Sequence, residues 1–274
     1  MEIIKRFQIR DLHGEVHRAD FNGRIVDFWA PAAKTEHIIV AHDGQNIFDR
    51  KTATHGRTWK LAQTATRIFR EHGFTPPLII GVFHGTTKEN PWGRAHDLAP
   101  QDPFQKGLVV SQEKYRVVSL DDLHSNAYLD SIVKMIVPQI CATVNVEASL
   151  QKTALLGSSM GGLATLYGMG RHPDFFGAGL SFSPHWVIGN NPLVDSLLNA
   201  LPAPTNHRIW MARGTKGSEK QYSEPQQYAN HKMLQLGWRE NENFASHIFK
   251  GDRHNEPSWG RQLESALNFW LRKS

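Results

Sequence analysis

Short apolar, β-branched runs alternate along this chain with longer stretches whose apolar residues recur every three or four positions. The first pattern predicts strands and the second amphipathic helices. Strands are expected at residues 3–9, 24–29, 37–42, 78–83, 153–156, 209–212 and 246–249. The first two are separated by the turn-rich Asp20-Phe21-Asn22-Gly23 and are expected to pair antiparallel at a sheet edge. Helices are expected around 58–72, 121–141, 161–171, 223–236 and 258–271; the last puts Trp259, Leu263, Ala266, Leu267 and Trp270 on one face, a core stripe. Strands alternating with helices predict an α/β fold, a mostly parallel sheet with helices on both faces. Residues 84–120 break the pattern. Pro91, Pro100 and Pro103 with Gly85, Gly93 and Gly107 leave little periodicity. A connection of this length reads as a functional loop, and it follows a strand whose carboxyl end would face a ligand cleft.

Composition narrows the picture further. The chain has 274 residues, 40% of them hydrophobic, enough for one core, so residues 1–274 are read as a single domain. The one cysteine, Cys141, cannot form an intramolecular disulfide and sits among apolar neighbours, where an inert buried thiol is expected. The first eleven residues carry charge inside their first apolar run and lack the order of a signal peptide. No uncharged apolar run approaches the roughly 18 residues of a bilayer span. A cytoplasmic protein without a membrane partner is the expectation. The net charge is +5, but basic and acidic residues are interspersed, without a basic cluster interleaved with aromatics. No nucleic-acid partner is therefore expected. Nothing in the pattern bears on oligomeric state.

The most specific local signal is Gly157-Ser158-Ser159-Met160-Gly161, which holds Gly-x-Ser-x-Gly with Ser159 at its centre. An apolar strand leads in and a Leu- and Ala-rich helical stretch leads out. A turn this sharp would hold Ser159 in a strained conformation, push its hydroxyl out of the sheet and set it at a helix amino terminus. Ser158 has the wrong spacing and is expected to pack locally. A serine needs a base to become a nucleophile. In a strand–turn–helix serine site the chain order is Ser, acid, His, with the histidine after the last strand. Of 15 histidines, His254 fits that order, since it follows the strand at 246–249 and precedes the final helix. His247 is expected within the sheet and His231 on a helix surface. The acid should follow the strand at 209–212; Glu219 is the first carboxylate there and Glu224 the second. Asp252 is too near His254 along one loop to hold its ring and reads as a turn residue.

A tetrahedral intermediate also needs two fixed N–H donors. One is the backbone N–H of Met160, after the nucleophile. The other is expected from Ala41-His42-Asp43-Gly44-Gln45-Asn46, with Gly44 letting the chain turn so that the Gln45 N–H points inward and Asp43 and Asn46 fixing the loop by local hydrogen bonds. His42-Asp43 has no second ligand pair at helical spacing and His-Glu-x-x-His is missing, so neither metal nor cofactor is expected.

These segments resemble the Putative esterase family of α/β hydrolases, which includes enterochelin esterase-like proteins, feruloyl and acetylxylan esterases, S-formylglutathione hydrolases and mycolyltransferases. The resemblance is carried by His42-Asp43-Gly44-Gln45-Asn46-Ile47-Phe48, Tyr128-Leu129-Asp130 ahead of Pro138, the Ser159 segment, Arg171-His172-Pro173-Asp174-Phe175-Phe176-Gly177, Ser183-Pro184, and His254-Asn255-Glu256 with Trp259 and Leu263. It runs from about residue 24 to the end. It implies an α/β-hydrolase fold without a helical cap, Ser159 and His254 in a triad, and a carboxylate after Gly214-Thr215. Lys216-Gly217-Ser218 intervene before Glu219, a departure from the common spacing. The implied activity is hydrolysis of a small-molecule carboxylic ester. The same machinery serves acyl transfer if an acceptor hydroxyl outcompetes water, whereas a non-catalytic module would lack a triad member. Arg94 stands where similar proteins often carry an arginine, either to bind substrate or to tie down the long loop by a salt bridge. Trp186, beyond Ser183-Pro184-His185, either stacks on a substrate ring or covers the core.

Overall fold

The computed structural model describes residues 1–115 and 117–272. Its nine strands are β1 (Glu2–Phe7), β2 (Val16–Phe21), β3 (Arg24–Trp29), β4 (Ile38–Ala41), β5 (Leu78–Val82), β6 (Thr153–Ser158), β7 (Ala178–Phe182), β8 (Arg208–Arg213) and β9 (Phe244–Ile248). They form one sheet in the order β1-β2-β3-β5-β4-β6-β7-β8-β9. From β5 to β9 every pairing is parallel, and β1, β2 and β3 add an antiparallel edge.

The edge differs from expectation. Residues 24–29 do not pair with 3–9; each pairs with β2, which sequence reading passed over. Its polar His17, Arg18 and Asp20 leave no clean alternation, since buried Ala19 and Phe21 feed one apolar cluster and buried Val16 the other. The strand β7, Ala-Gly-Leu-Ser-Phe, was likewise not expected, because its small residues carry little β-branched signal.

Alternate strand positions feed two apolar clusters. Ile38, Val40, Ile80, Leu155 and Met211 belong to one, and Ile39, Ala41, Ile79, Leu156 and Trp210 to the other. Since successive strand side chains point to opposite faces, these are the two sides of the sheet. Helices α1 (Leu61–Glu71) and α9 (Glu256–Leu271) cover one side through Ile68, Phe69, Leu263 and Leu267. The other holds α2 (Gly93–Leu98) and α3 (Gln101–Gln105), short helices inside the long 84–120 connection where none was expected. It also holds α4 (Ser125–Ser131), which runs through a π-helical turn, Ile132–Ile136, into α5 (Val137–Val144). Then come α6 (Met160–Arg171), α7 (Asn190–Asn199) and α8 (Ser223–Gln235), of which α7 was not expected.

The α4–α5 run is long and apolar enough to cross a membrane by length and composition. Here Leu129, Ile132, Ile136, Val137 and Ile140 pack fully buried against the sheet. Burial pushes the Cys141 thiol up to about 11, which keeps it protonated. The architecture is that of an α/β hydrolase, and among the described residues no separate helical cap lies over the carboxyl ends of the strands.

At the opposite end of the sheet, His37 packs edge-on against Phe69 and Trp270 and tilted against Phe74. Burial first, then Lys152, lowers its pKa to about 4. Between the usual value near 6.5 and about 4, the unfolded chain binds a proton that the folded chain refuses, so stability falls as pH drops through that window. Urea unfolding at pH 4.5 to 7 is expected to show a shallower pH slope for His37→Phe than for the wild type, by up to about one proton. Equal slopes would show that His37 is not held neutral.

Candidate active site

The segments expected to supply Ser159, the acid, His254 and the oxyanion loop each leave the sheet at a carboxyl strand end, where α/β folds bind ligands. The strand β6 ends at Ser158, and Ser159 turns directly into α6 with φ 57° and ψ −121°. A non-glycine residue here is strained and must be held by its surroundings. The holding bonds run from Ser159 N–H to the Phe182 carbonyl at 2.9 Å and from His185 N–H to the Ser159 carbonyl at 3.1 Å. A Cβ on Gly157 would stand 2.4 Å from the Gly161 carbonyl oxygen, so only glycine lets the strand and helix approach so closely.

Glu219 lies in the turn after β8 and is fully buried. Its Oε1 accepts from the Ser183 hydroxyl at 2.6 Å and contacts His254 Nδ1 at 3.0 Å. Its Oε2 accepts from the Gly214 N–H at 3.0 Å. The structure thus joins Glu219, and not Glu224 or Asp252, to His254. Asp252 anchors the His254 loop instead: its carboxylate accepts from Arg261 and Gln262 and its carbonyl from the Thr215 and Lys216 amides. The His254 ring lies 5.0 Å from Trp259, edge-on, and 5.1 Å from Tyr222, centroid to centroid. The His185 ring lies 6.5 Å from that of His254, and the His185 N–H bonds the Ser159 carbonyl. His254 therefore approaches Ser159 across one shared neighbour, and among the described residues no direct Ser159–His254 bond is drawn. Such bonds are often long before substrate arrives. His247 lies in β9 beside Trp210 and Phe249, and His231 on α8 pairs with Gln235, as expected for packing and surface roles.

The loop after β4 differs from expectation in its mechanics. The left-handed residue is Asp43, at φ 54°. Gly44 is needed for a different reason: a Cβ there would lie 2.2 Å from the Gly81 carbonyl carbon of β5. Asn46 N–H bonds the Asp43 carbonyl and Ile47 N–H the Gly44 carbonyl, a 3-10 turn that uses the amides after Gln45 but not its own. Met160 begins α6, where the first amides have no intrahelical acceptor. Asn46 does fix the loop, through its Oδ1 to the Thr54 N–H at 2.7 Å.

Asp43 is held from further away. Arg94 of α2 grips it with two bonds of 2.7 Å and also reaches the Ser158 carbonyl at 3.4 Å. Burial alone would raise the Asp43 carboxyl, but the guanidinium outweighs it and holds the group below its usual range. Of the two readings of Arg94, the salt bridge that ties down the long loop is what the structure contains. His42 is buried, bonded through Nδ1 to the Tyr128 hydroxyl at 2.9 Å, and burial lowers its pKa to about 4. Among the described residues there is no group of His, Cys, Asp or Glu side chains that could hold a metal.

Trp186 is a correction. It is fully buried and its indole N–H donates to Gln226 Oε1 at 3.0 Å, so it covers the core and offers no face to a substrate. Sequence reasoning also missed two polar groups near Ser159. The His185 ring bonds the Tyr222 hydroxyl through Nδ1 and Gln112 Oε1 through Nε2. No local pattern marks either residue, because three separate loops bring them together.

The model of the Putative esterase family matches residues 20–270. The chain belongs to that family. A Bacillus subtilis protein, YbbA, described as uncharacterized, is 26% identical over 149 residues, 53% of this chain and 58% of YbbA. Among solved structures, the enterochelin esterase of Shigella flexneri superposes with a TM-score of 0.61 at 15% identity, over 90% of this chain and 54% of that one. The chain thus spans little more than half of either protein. The BES protein of Bacillus cereus gives 0.64 at 16% identity, over 97% and 98% of the two chains. The siderophore hydrolase EstA of Aspergillus nidulans gives 0.59 at 17%, over 90% and 89%. At these identities the likeness is one of fold.

Removing Arg94 while leaving Asp43 strands a buried carboxylate. Arg94→Met is expected to lower the unfolding free energy in urea by about 3 kcal/mol. A loss well under about 1 kcal/mol would class the pair with solvent-screened surface bridges.

Proposed function

We propose that this protein is a serine carboxylic-ester hydrolase that works through an acyl-enzyme on a small ester. The observation that carries this reading is a strained serine at a helix start, with His185 between it and a histidine whose Nδ1 rests on a buried carboxylate. In this reading Ser159 Oγ attacks the ester carbonyl as His254 Nε2 takes its proton. Glu219, with its other lone pairs bound to Ser183 and Gly214, keeps the ring oriented and stabilises the imidazolium. The N–H groups of Met160 and Gln45 receive the oxyanion, and the Asp43–Arg94 pair braces the loop that supplies the second of them. His254 then passes its proton to the leaving alcohol. Water follows the same path to release the acid.

The substrate class is read from the surroundings and from the relatives. Tyr115 and Tyr222 flank the His185 ring, whose backbone N–H bonds the Ser159 carbonyl, and Arg94 reaches the neighbouring Ser158 carbonyl, polar and aromatic groups suited to an aryl or hydroxyl-bearing ester. The structural neighbours include an enterobactin esterase and a siderophore hydrolase, which makes siderophore-type esters the first to assay.

Hydrolysis of p-nitrophenyl acetate is expected to fall by on the order of 10³-fold or more in Ser159→Ala, and comparably in Glu219→Gln. Wild type and Ser159→Ala turning over at equal rates would remove the reading.

A further inference from the structure

Oε1 of Glu219 is shared by two donors, and the chemistry of the groups around it fixes the direction of every bond. An indole N–H only donates, so Ser183 Oγ accepts from Trp259 Nε1 at 3.2 Å. An ionised carboxylate only accepts, so the Ser183 hydroxyl sends its one proton to Oε1 at 2.6 Å. His254 Nδ1 reaches the same oxygen at 3.0 Å and is its other donor, which leaves Nε2 of a neutral ring with a lone pair. The second oxygen, Oε2, meets the Gly214 N–H at 3.0 Å. Among the described residues no arginine or lysine pairs with Glu219, so apart from His254 its charge is met by neutral donors.

The Ser183 hydroxyl is held firmly in place. Ser183 is fully buried, with φ at 44° just past β7, and its N–H bonds the Ala212 carbonyl at 2.7 Å. Trp259 is buried in the first turn of α9, with its ring 5.5 Å from Trp59 and edge-on to His254. Two further titratable rings face His254, Tyr222 at 5.1 Å and His185 at 6.5 Å. Burial, followed by the charge of Glu219, pushes the Tyr222 phenol well above its usual range and keeps it neutral. Both ring nitrogens of His185 are engaged, by the Tyr222 hydroxyl and by Gln112 Oε1.

We propose that Ser183 is a positioning residue that sets how readily His254 gives up its proton, by taking part of the charge of Glu219 Oε1, and that the Trp259 N–H aims the hydroxyl that does so; this rests on the esterase reading above. An oxygen that already accepts a short hydrogen bond holds a neighbouring imidazolium less strongly. With the hydroxyl removed, the full charge of Oε1 faces His254. The ring then keeps its proton to higher pH and is less often free to act as a base. Ser183 touches neither ester nor Ser159 in this scheme, and acts through Glu219 alone.

The test is the pH dependence of kcat/KM for p-nitrophenyl acetate from about pH 5 to 9, followed at the isosbestic wavelength of the phenol and phenolate. Wild type, Ser183→Ala, Trp259→Phe and Ser159→Ala are compared, each checked for native circular dichroism. The acid limb is the fall in kcat/KM as the base becomes protonated. Ser183→Ala is expected to move that limb to higher pH by about one unit, within what a hydrogen bond to a charged group contributes. Its loss of activity should therefore be about tenfold greater at the foot of the limb than on the plateau. Trp259→Phe keeps the Ser183 hydroxyl but not the N–H that aims it, and should move the limb the same way by less. An unmoved limb in either variant, or one moved to lower pH, overturns the proposal, as does a Ser183→Ala loss that is equal at every pH. Should one variant not fold, the other decides alone. Equality of wild type and Ser159→Ala would instead remove the esterase reading and this role with it.

Discussion

The carboxylate of Glu219 is the group on which the site depends most. It is fully buried, and a buried charge is tolerated only when its lone pairs are met. Three donors meet it: the Ser183 hydroxyl at the end of β7, the Gly214 amide at the end of β8, and His254 beyond β9. One side chain thus ties together the ends of three adjacent parallel strands. The Trp259 indole, donating to Ser183 Oγ at 3.2 Å, extends the same cluster into α9. Loss of the carboxylate would leave Ser183, Gly214 and His254 without their common acceptor, so the ring orientation and the local fold stand or fall together.

The other half of the site is held by a different kind of contact. The β4 loop presses so closely on β5 that Gly44 meets the backbone of Gly81, and the Asp43–Arg94 pair brings the long 84–120 connection down onto it. That connection is itself anchored by Asp97, which accepts from Arg24, His124 and the Gly85 amide. Two of these acids, Asp43 and Asp97, are charged and buried, and each is paired with an arginine from a distant part of the chain. The loop is therefore a braced wall, which explains why it holds two short helices in a stretch whose prolines and glycines predicted none.

Much of the centre was legible because the same residues satisfy local and global demands. Gly157, Ser159 and Gly161 are spaced by the geometry of a strand meeting a helix. The runs of β4, β5, β6 and β8 are apolar because they are buried on both faces. The edge was harder to read. The strand β2 mixes His17, Arg18 and Asp20 with buried apolar residues on both faces, and β7 is built of small residues that pack under α6. Trp186 was ambiguous for a related reason: a tryptophan beyond a strand end serves a core or a cleft equally well, and only the burial of its indole beside Gln226 separates the two.

The linear sequence determined the kind of fold, the bend that carries Ser159 and the order in which a serine, an acid and a histidine follow one another. Those features are written in short-range spacing, which hydrophobic periodicity and glycine sterics translate directly into structure. Tertiary structure decided everything that depends on side chains from different loops meeting. It chose Glu219 over its neighbours, gave Arg94 to Asp43, buried Trp186, and set His185 against the backbone of the nucleophile. Hydrogen bonds act over about 3 Å, and residues separated by tens of positions come within that range only after the sheet has aligned the strand ends from which they project.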